Sequence, residues 1–328
     1  MSRLWGLTER WGYRGGRLGC ARANANAEIT APLSCDFSAG FCEGYGQPRK
    51  RVRANMDFER QLSDTESTPP LVYHYTTQRG LLGIVGGANI WATDIRFMND
   101  SAEWKHIYDV VEELFESSAS ESDSYRELVG EYRADVSKHR EPDVYLASFS
   151  RDGDKLSQWR AYSQGSGGFS LGFRTSALAE ITKPVQFAMK QCVYGRVEQR
   201  SLLNQLLSKS LRGEGPFAKM GGAVQFTIFV RFLASSFKHH SFAEEEEWRL
   251  VSSAPVSSSA VRFRAGGTTL IPYLEADVSA IENLGLEEIV VGPSPNPEQS
   301  ASAVELLVKS AGHRGIRVRN SATSYRDW

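Results

Sequence analysis

From Leu71 onward, apolar residues recur with two distinct periods. Alternation at every second position marks strands, and "LVYHYT" (71–76) is the first of them. Tyr73 and Tyr75 share one face of that strand, and His74 and Thr76 share the other. A short helix is expected over 77–87, with Leu81, Leu82 and Val85 on one side and glycines at its end. "NIWATD" (89–94) reads as a second strand. Asn99 and Asp100 are suited to cap a helix from 101 to 117, whose Trp104, Ile107, Val111 and Leu114 fall on one face. A polar helix over 123–137, a strand over 143–150 and a short helix over 154–163 follow. A glycine turn then leads into a strand over 165–173. Further strands are expected near 184–194 and at 247–252, 261–264, 268–275, 286–293 and 316–320, with helices near 197–209, 220–237 and 296–312. Strands and helices mix without strict βα alternation. That predicts an α+β fold of mainly antiparallel sheets with flanking helices, not a doubly wound sheet.

Residues 1–70 break the pattern. The first 55 hold nine Lys/Arg against four Asp/Glu and show no sustained periodicity. Such a segment reads as disordered, as a basic arm, or as an extension upstream of a start at Met56, which opens an ordinary polar lead-in to the first strand. One α+β domain is expected over 71–328. The formal net charge of −1 argues against a dedicated nucleic-acid binder, so stable nucleic-acid binding is not indicated, although a local basic patch is compatible with it. No apolar run has the ~18 residues of a membrane helix, and the N-terminus lacks the apolar core of a signal peptide. Cys20, Cys35, Cys42 and Cys192 form no CxxC pair, which fits a reducing cytoplasm better than a disulfide framework or a zinc site.

Several stretches carry candidate chemistry. His74 reads first as a partly buried ring bonded to backbone, with a hydrogen bond to a ligand hydroxyl as the alternative. In "LSQWRAYSQGSGG" (156–168), Trp159 and Tyr162 precede a glycine loop, where aromatics sandwich a flat ring or simply anchor a core. No GxGxxG or GxxxxGK[ST] spacing occurs. In "KHHSFAEEEEWRLV" (238–251), Ser241 and Glu244 fit a capping box, and Glu245 and Glu246 are expected in solvent. Glu247 then opens a strand with Arg249 on the same face and Trp248 and Leu250 on the other. A carboxylate so placed is held ionised by its neighbouring cation. His239 and His240 lack the HExxH or cysteine partners of a metal site, and none is expected.

The stretches "YHYTT", "NIWATDIRFMND", "LASFS", "LSQWRAYSQGSGGFSLGF", "KHHSFAEEEEWRL" and "EEIVVGP" resemble, in that order, the bacterial family catalogued as domain of unknown function 2971. A second resemblance is to the ADP-ribosyltransferase fold, carried by a histidine on the first strand, a short glycine-stopped helix, a later aromatic element and a glutamate opening a late strand. It implies NAD as a substrate, His74 and Thr76 at the ribose, Trp159 and Arg249 against the cofactor, and Glu247 stabilising an oxocarbenium-like state. Tyr162 is the implied middle aromatic, with Trp159 and Tyr145 as rivals. Such an enzyme would modify a macromolecular acceptor in a toxin or phage-defence setting. The alternatives are a non-catalytic module of the same fold that senses a nucleotide or a partner, and a nuclease, which lacks its clustered acidic ligands here.

Overall fold

The computed structural model describes residues 68–98, 103–118, 122–138, 144–162, 167–181, 183–252 and 256–324. All belong to one compact unit, Gly46–Trp328. The expectations for residues up to 67, the caps at Asn99 and Asp100, and most of the glycine loop at 163–166 lie outside the described residues.

The elements in chain order are β1 (Leu71–Thr76), α1 (Gln78–Gly87), β2 (Asn89–Asp94), α2 (His106–Ser117), α3 (Asp123–Lys138), β3 (Tyr145–Ser150), α4 (Leu156–Tyr162), β4 (Phe169–Arg174), α5 (Thr175–Leu178) and β5 (Phe187–Gln191). They continue as α6 (Arg196–Leu211), α7 (Gly222–Leu233), β6 (Glu247–Ser252), β7 (Arg262–Ala265), β8 (Leu270–Asp277), β9 (Leu286–Val291), α8 (Pro297–Ser310) and β10 (Arg317–Asn320). The fold is α+β, with a mostly antiparallel sheet and flanking helices. Among the described residues, no helix is long and apolar enough to cross a membrane.

The strands form one sheet in the order β10-β9-β4-β1-β3-β2-β8-β7, with β6 also on β3 and β5 beyond β6. Among the described residues, β9 and β10 are the one pair of neighbouring strands that run parallel. β3 is a branch point. Along one edge it pairs with β6 from Leu146 opposite Val251 to Ser150 opposite Glu247. Its other edge is divided: Ser150 pairs with Tyr73 of β1, while Leu146 and Tyr145 pair with Thr93 and Asp94 of β2. The sheet therefore forks into a β1-β4-β9-β10 arm and a β2-β8-β7 arm.

Strand alternation sorts side chains into two cores. Val72, Phe149, Leu171, Trp248, Leu250 and Ile289 face one side, where α1 and α8 add Leu81, Ile84, Val304 and Val308. On the other side, Leu146 and Val251 meet a layer of α2, α3, α6 and α7, with Phe115, Tyr132, Leu203 and Phe226 at its centre. α1 starts at Thr77, whose side chain accepts from Gly80 N–H, and ends at Ala88 in the left-handed region. Its buried stripe is Leu81, Ile84 and Val85, spaced i, i+3, i+4, and the expected Leu82 is 58% exposed instead. The helix expected over 220–237 is shorter: Gly221 at φ 101° separates a turn of 3-10 helix from α7, and α7 ends at Leu233.

Candidate functional site

β6 fixes the direction of the residues with most chemistry. Ser150 pairs with Tyr73 on one side and Glu247 on the other, so Tyr73, Ser150 and Glu247 share a face. His74 is one residue on and points to the opposite face, with Phe149 and Trp248. The Cα atoms of Tyr73 and Glu247 are two strand spacings apart, about 10 Å. His74 is equally near in sequence register, but the sheet stands between its ring and the carboxylate. The two residues expected to share a cleft are not brought together.

Glu247 is 4% exposed. Its Oε1 accepts from Arg249 Nε at 2.9 Å. Its Oε2 accepts from Lys238 Nζ at 2.7 Å, Arg249 Nη2 at 3.0 Å and Cys192 Sγ at 3.7 Å. Burial alone would raise its pKa, but Arg249 and Lys238 outweigh it and hold the carboxyl down at about 2. Arg249 also donates to Ser235 O at 2.8 Å, and Lys238 also pairs with Glu245. Two buried cations thus meet two carboxylates. Arg249 has no open edge for a phosphate. Glu245, expected in solvent, turns back to Lys238. The expected capping box is absent too: the 3-10 turn His240–Glu245 is capped by His239, whose ring accepts from Ser241 N–H at 3.3 Å.

His74 has a different environment. Its Nδ1 lies 2.9 Å from Ser148 O, at the fork where β1 leaves β3. A carbonyl only accepts, so Nδ1 carries the proton and Nε2 keeps a lone pair. The ring packs on Phe149, with centroids 5.5 Å apart. Burial lowers its pKa, partly offset by the Ser148 contact. A folded-state pKa below 6.5 means that the unfolded chain takes up the proton first. The stability from neutral His74 is therefore full above pH 6.5 and is lost as pH falls below it. His74→Gln is expected to flatten the pH dependence of the urea-denaturation midpoint below pH 6.5 relative to the parent. His106, lowered by burial as well, remains in both proteins and cancels in the comparison.

The remaining candidates are packed. Thr76 lies under the start of α1, where a Cβ on Gly80 would fall 1.9 Å from its Oγ1. Trp159 is 1% exposed, stands edge-on to Tyr75 at 4.7 Å, and donates from Nε1 to Asp154 Oδ1 at 2.8 Å. Tyr162 is half-buried at the margin of the same group. Tyr145 is a core residue.

A second buried carboxylate escaped the sequence reading. Glu288 of β9 accepts from Tyr73 Oη at 2.7 Å, Arg317 Nε at 2.9 Å and Arg319 Nε at 3.3 Å. Burial and Glu288 together push the Tyr73 phenol up to about 12. Asp154 accepts from Arg319, Ser321, the Ala322 N–H and Trp159, tying the segment after β10 to α4. The Tyr73 ring lies between two glycines, and a Cβ would meet it at 2.4 Å from Gly153 and 2.8 Å from Gly172. Gly172→Ala is expected to cost about 1–3 kcal/mol by overpacking, measured as a shift in denaturation midpoint. The signal available was parity: Glu288 sits inside an apolar strand, and Arg317 and Arg319 share one face of β10.

An open cavity of about 880 Å³ lies at the end of the sheet where β1, β6, β9 and β10 begin. Trp248 and Met189 supply apolar wall, Arg174 and Arg317 supply cations, and Glu287 and Glu288 lie beside them. Glu247 does not line it.

Residues 158–250 match the family model described as protein of unknown function, DUF2971. No curated protein and no solved structure matches the chain significantly. The DUF2971 segment runs from α4 to β6. It carries Trp159, Tyr162 and the whole Lys238–Glu247–Arg249 cluster, with Cys192 beside it. Tyr73, His74, Asp154 and Glu288 lie outside it.

Proposed function

We propose that this chain is a non-catalytic binding module that senses a nucleotide-class ligand in the cavity at the end of the sheet. The supporting observation is that Trp248 lines the cavity while Glu247 does not and has both oxygens engaged. A transferase that breaks the nicotinamide–ribose bond of NAD needs a carboxylate next to the developing positive charge. Glu247 is turned instead to Arg249 and Lys238. The cavity has the size range of small-ligand sites. An aromatic wall with two arginines suits a flat base joined to phosphate.

Calorimetric titration of the full chain with AMP, ADP-ribose and NAD tests this. At least one is expected to bind, and Arg174→Ala is expected to weaken it about tenfold, the worth of one charge-assisted contact. Arg174 is part-exposed and its ion pair with Glu287 is solvent-accessible, so the variant is expected to fold. No binding of any of the three compounds would count against the proposal.

A further inference from the structure

The β2-β8-β7 arm carries a face on which Trp91 and Arg262 are exposed, with Thr93 and Tyr273 buried between them. The core on that side takes residues from α2, α3, α6 and α7 but none from β2, β7 or β8. In the middle of this face Trp91 is 45% exposed. It is stacked on Tyr273, with centroids 4.5 Å apart and planes tilted by 34°. The Arg264 guanidinium lies 6.0 Å from the Trp91 ring centroid and donates from Nη2 to Thr93 Oγ1 at 3.2 Å. Its Nε is buried and has no hydrogen-bond partner among the described residues. Arg262, exposed, stands opposite Tyr273 in register on the edge strand β7. The acids of this face, Glu275 and Asp277, pair with Trp91 and Asn89, toward the end of the arm that β7 does not reach.

We propose that this face binds single-stranded nucleic acid, with a base stacked on Trp91 and the phosphates along Arg262 and Arg264. An exposed indole backed by a second aromatic offers a π-face to any base, and stacking of this kind is tolerant of sequence. The two arginines are on the outer strand, where a backbone passing over the sheet would run. The phosphates keep to the β7 side, away from Glu275 and Asp277. An apolar peptide fits less well: around Trp91 the face carries Asn89, Thr93, Glu275, Arg262 and Arg264, and Ile271 is its one aliphatic residue. The near-neutral charge of the whole chain is no obstacle, because the cations are grouped at one end of one face.

Fluorescence anisotropy of the full chain with a labelled oligo-dT of about 12 nucleotides tests the proposal. The duplex of the same length and the free mononucleotide serve as comparison probes. The single strand is expected to bind more tightly than either. Trp91→Ala is expected to weaken it about tenfold, the loss of one stacked base. Arg262→Glu, at an exposed position, is expected to weaken it and to reduce its dependence on salt between about 50 and 200 mM. Circular dichroism confirms that both variants are folded. Absence of binding by the parent overturns the proposal. So does binding unchanged in both variants, which would assign it to the basic N-terminal segment, and so does equal binding of duplex and single strand.

Discussion

Glu247→Ala is expected to destabilise the fold by about 3–5 kcal/mol, because it leaves the buried Arg249 without a carboxylate and takes one of two from the buried Lys238. Lys238 and Arg249 are 6% and 1% exposed, so water cannot take the place of the lost partner. Urea denaturation measures the effect directly. The parent carries a related pH signature. Its Glu247 pKa is depressed from 4.5 to about 2, so the contribution is complete above pH 4.5 and is lost as pH falls toward about 2. Glu247→Gln removes that part of the acid profile while preserving shape. An alanine variant as stable as the parent, with an unchanged acid limb, would mean that the cluster does not hold the fold.

Trp159→Ala is expected to cost a similar amount, about 3–5 kcal/mol, through the cavity left by a fully buried indole. Trp159 packs against Tyr75 and Val290, and its Nε1–H satisfies Asp154, which also gathers Arg319 and the residues after β10. Loss of the indole therefore loosens the segment beyond Asn320 as well as the core. Hydrogen exchange at Ala322, whose N–H donates to Asp154 Oδ2 at 2.7 Å, is expected to quicken more than exchange in α6. Weak destabilisation with intact protection at Ala322 would instead point to an indole kept for a ligand.

The strands and helices were legible because most of them carry one apolar face of unbroken period. β1, β6 and β9 read correctly within a few residues, and the faces of Tyr73, His74, Glu247 and Trp248 followed from alternation alone. What alternation cannot show is which strand stands beside which. The fork at β3 sets Tyr73 and Glu247 in one cross-strand row and turns His74 away from both, and that depends on pairing between segments far apart in sequence. The Glu288 cluster was hidden for the same reason, since Tyr73, Glu288 and Arg317 meet only once β1, β4, β9 and β10 are ordered. Glu245 misled because a run of four glutamates looks solvated, and composition does not reveal the 3-10 turn His240–Glu245 that carries it back to Lys238.

The most direct test of the central claim is nicotinamide release from NAD by the full chain, followed with the parent and with Glu247→Gln confirmed as folded by circular dichroism. A carboxylate locked between Arg249 and Lys238 predicts no release above the buffer rate from either protein, with ligand binding in the cavity unaffected by the substitution. Release by the parent that disappears in the folded Glu247→Gln variant would contradict it and restore Glu247 as a catalytic residue.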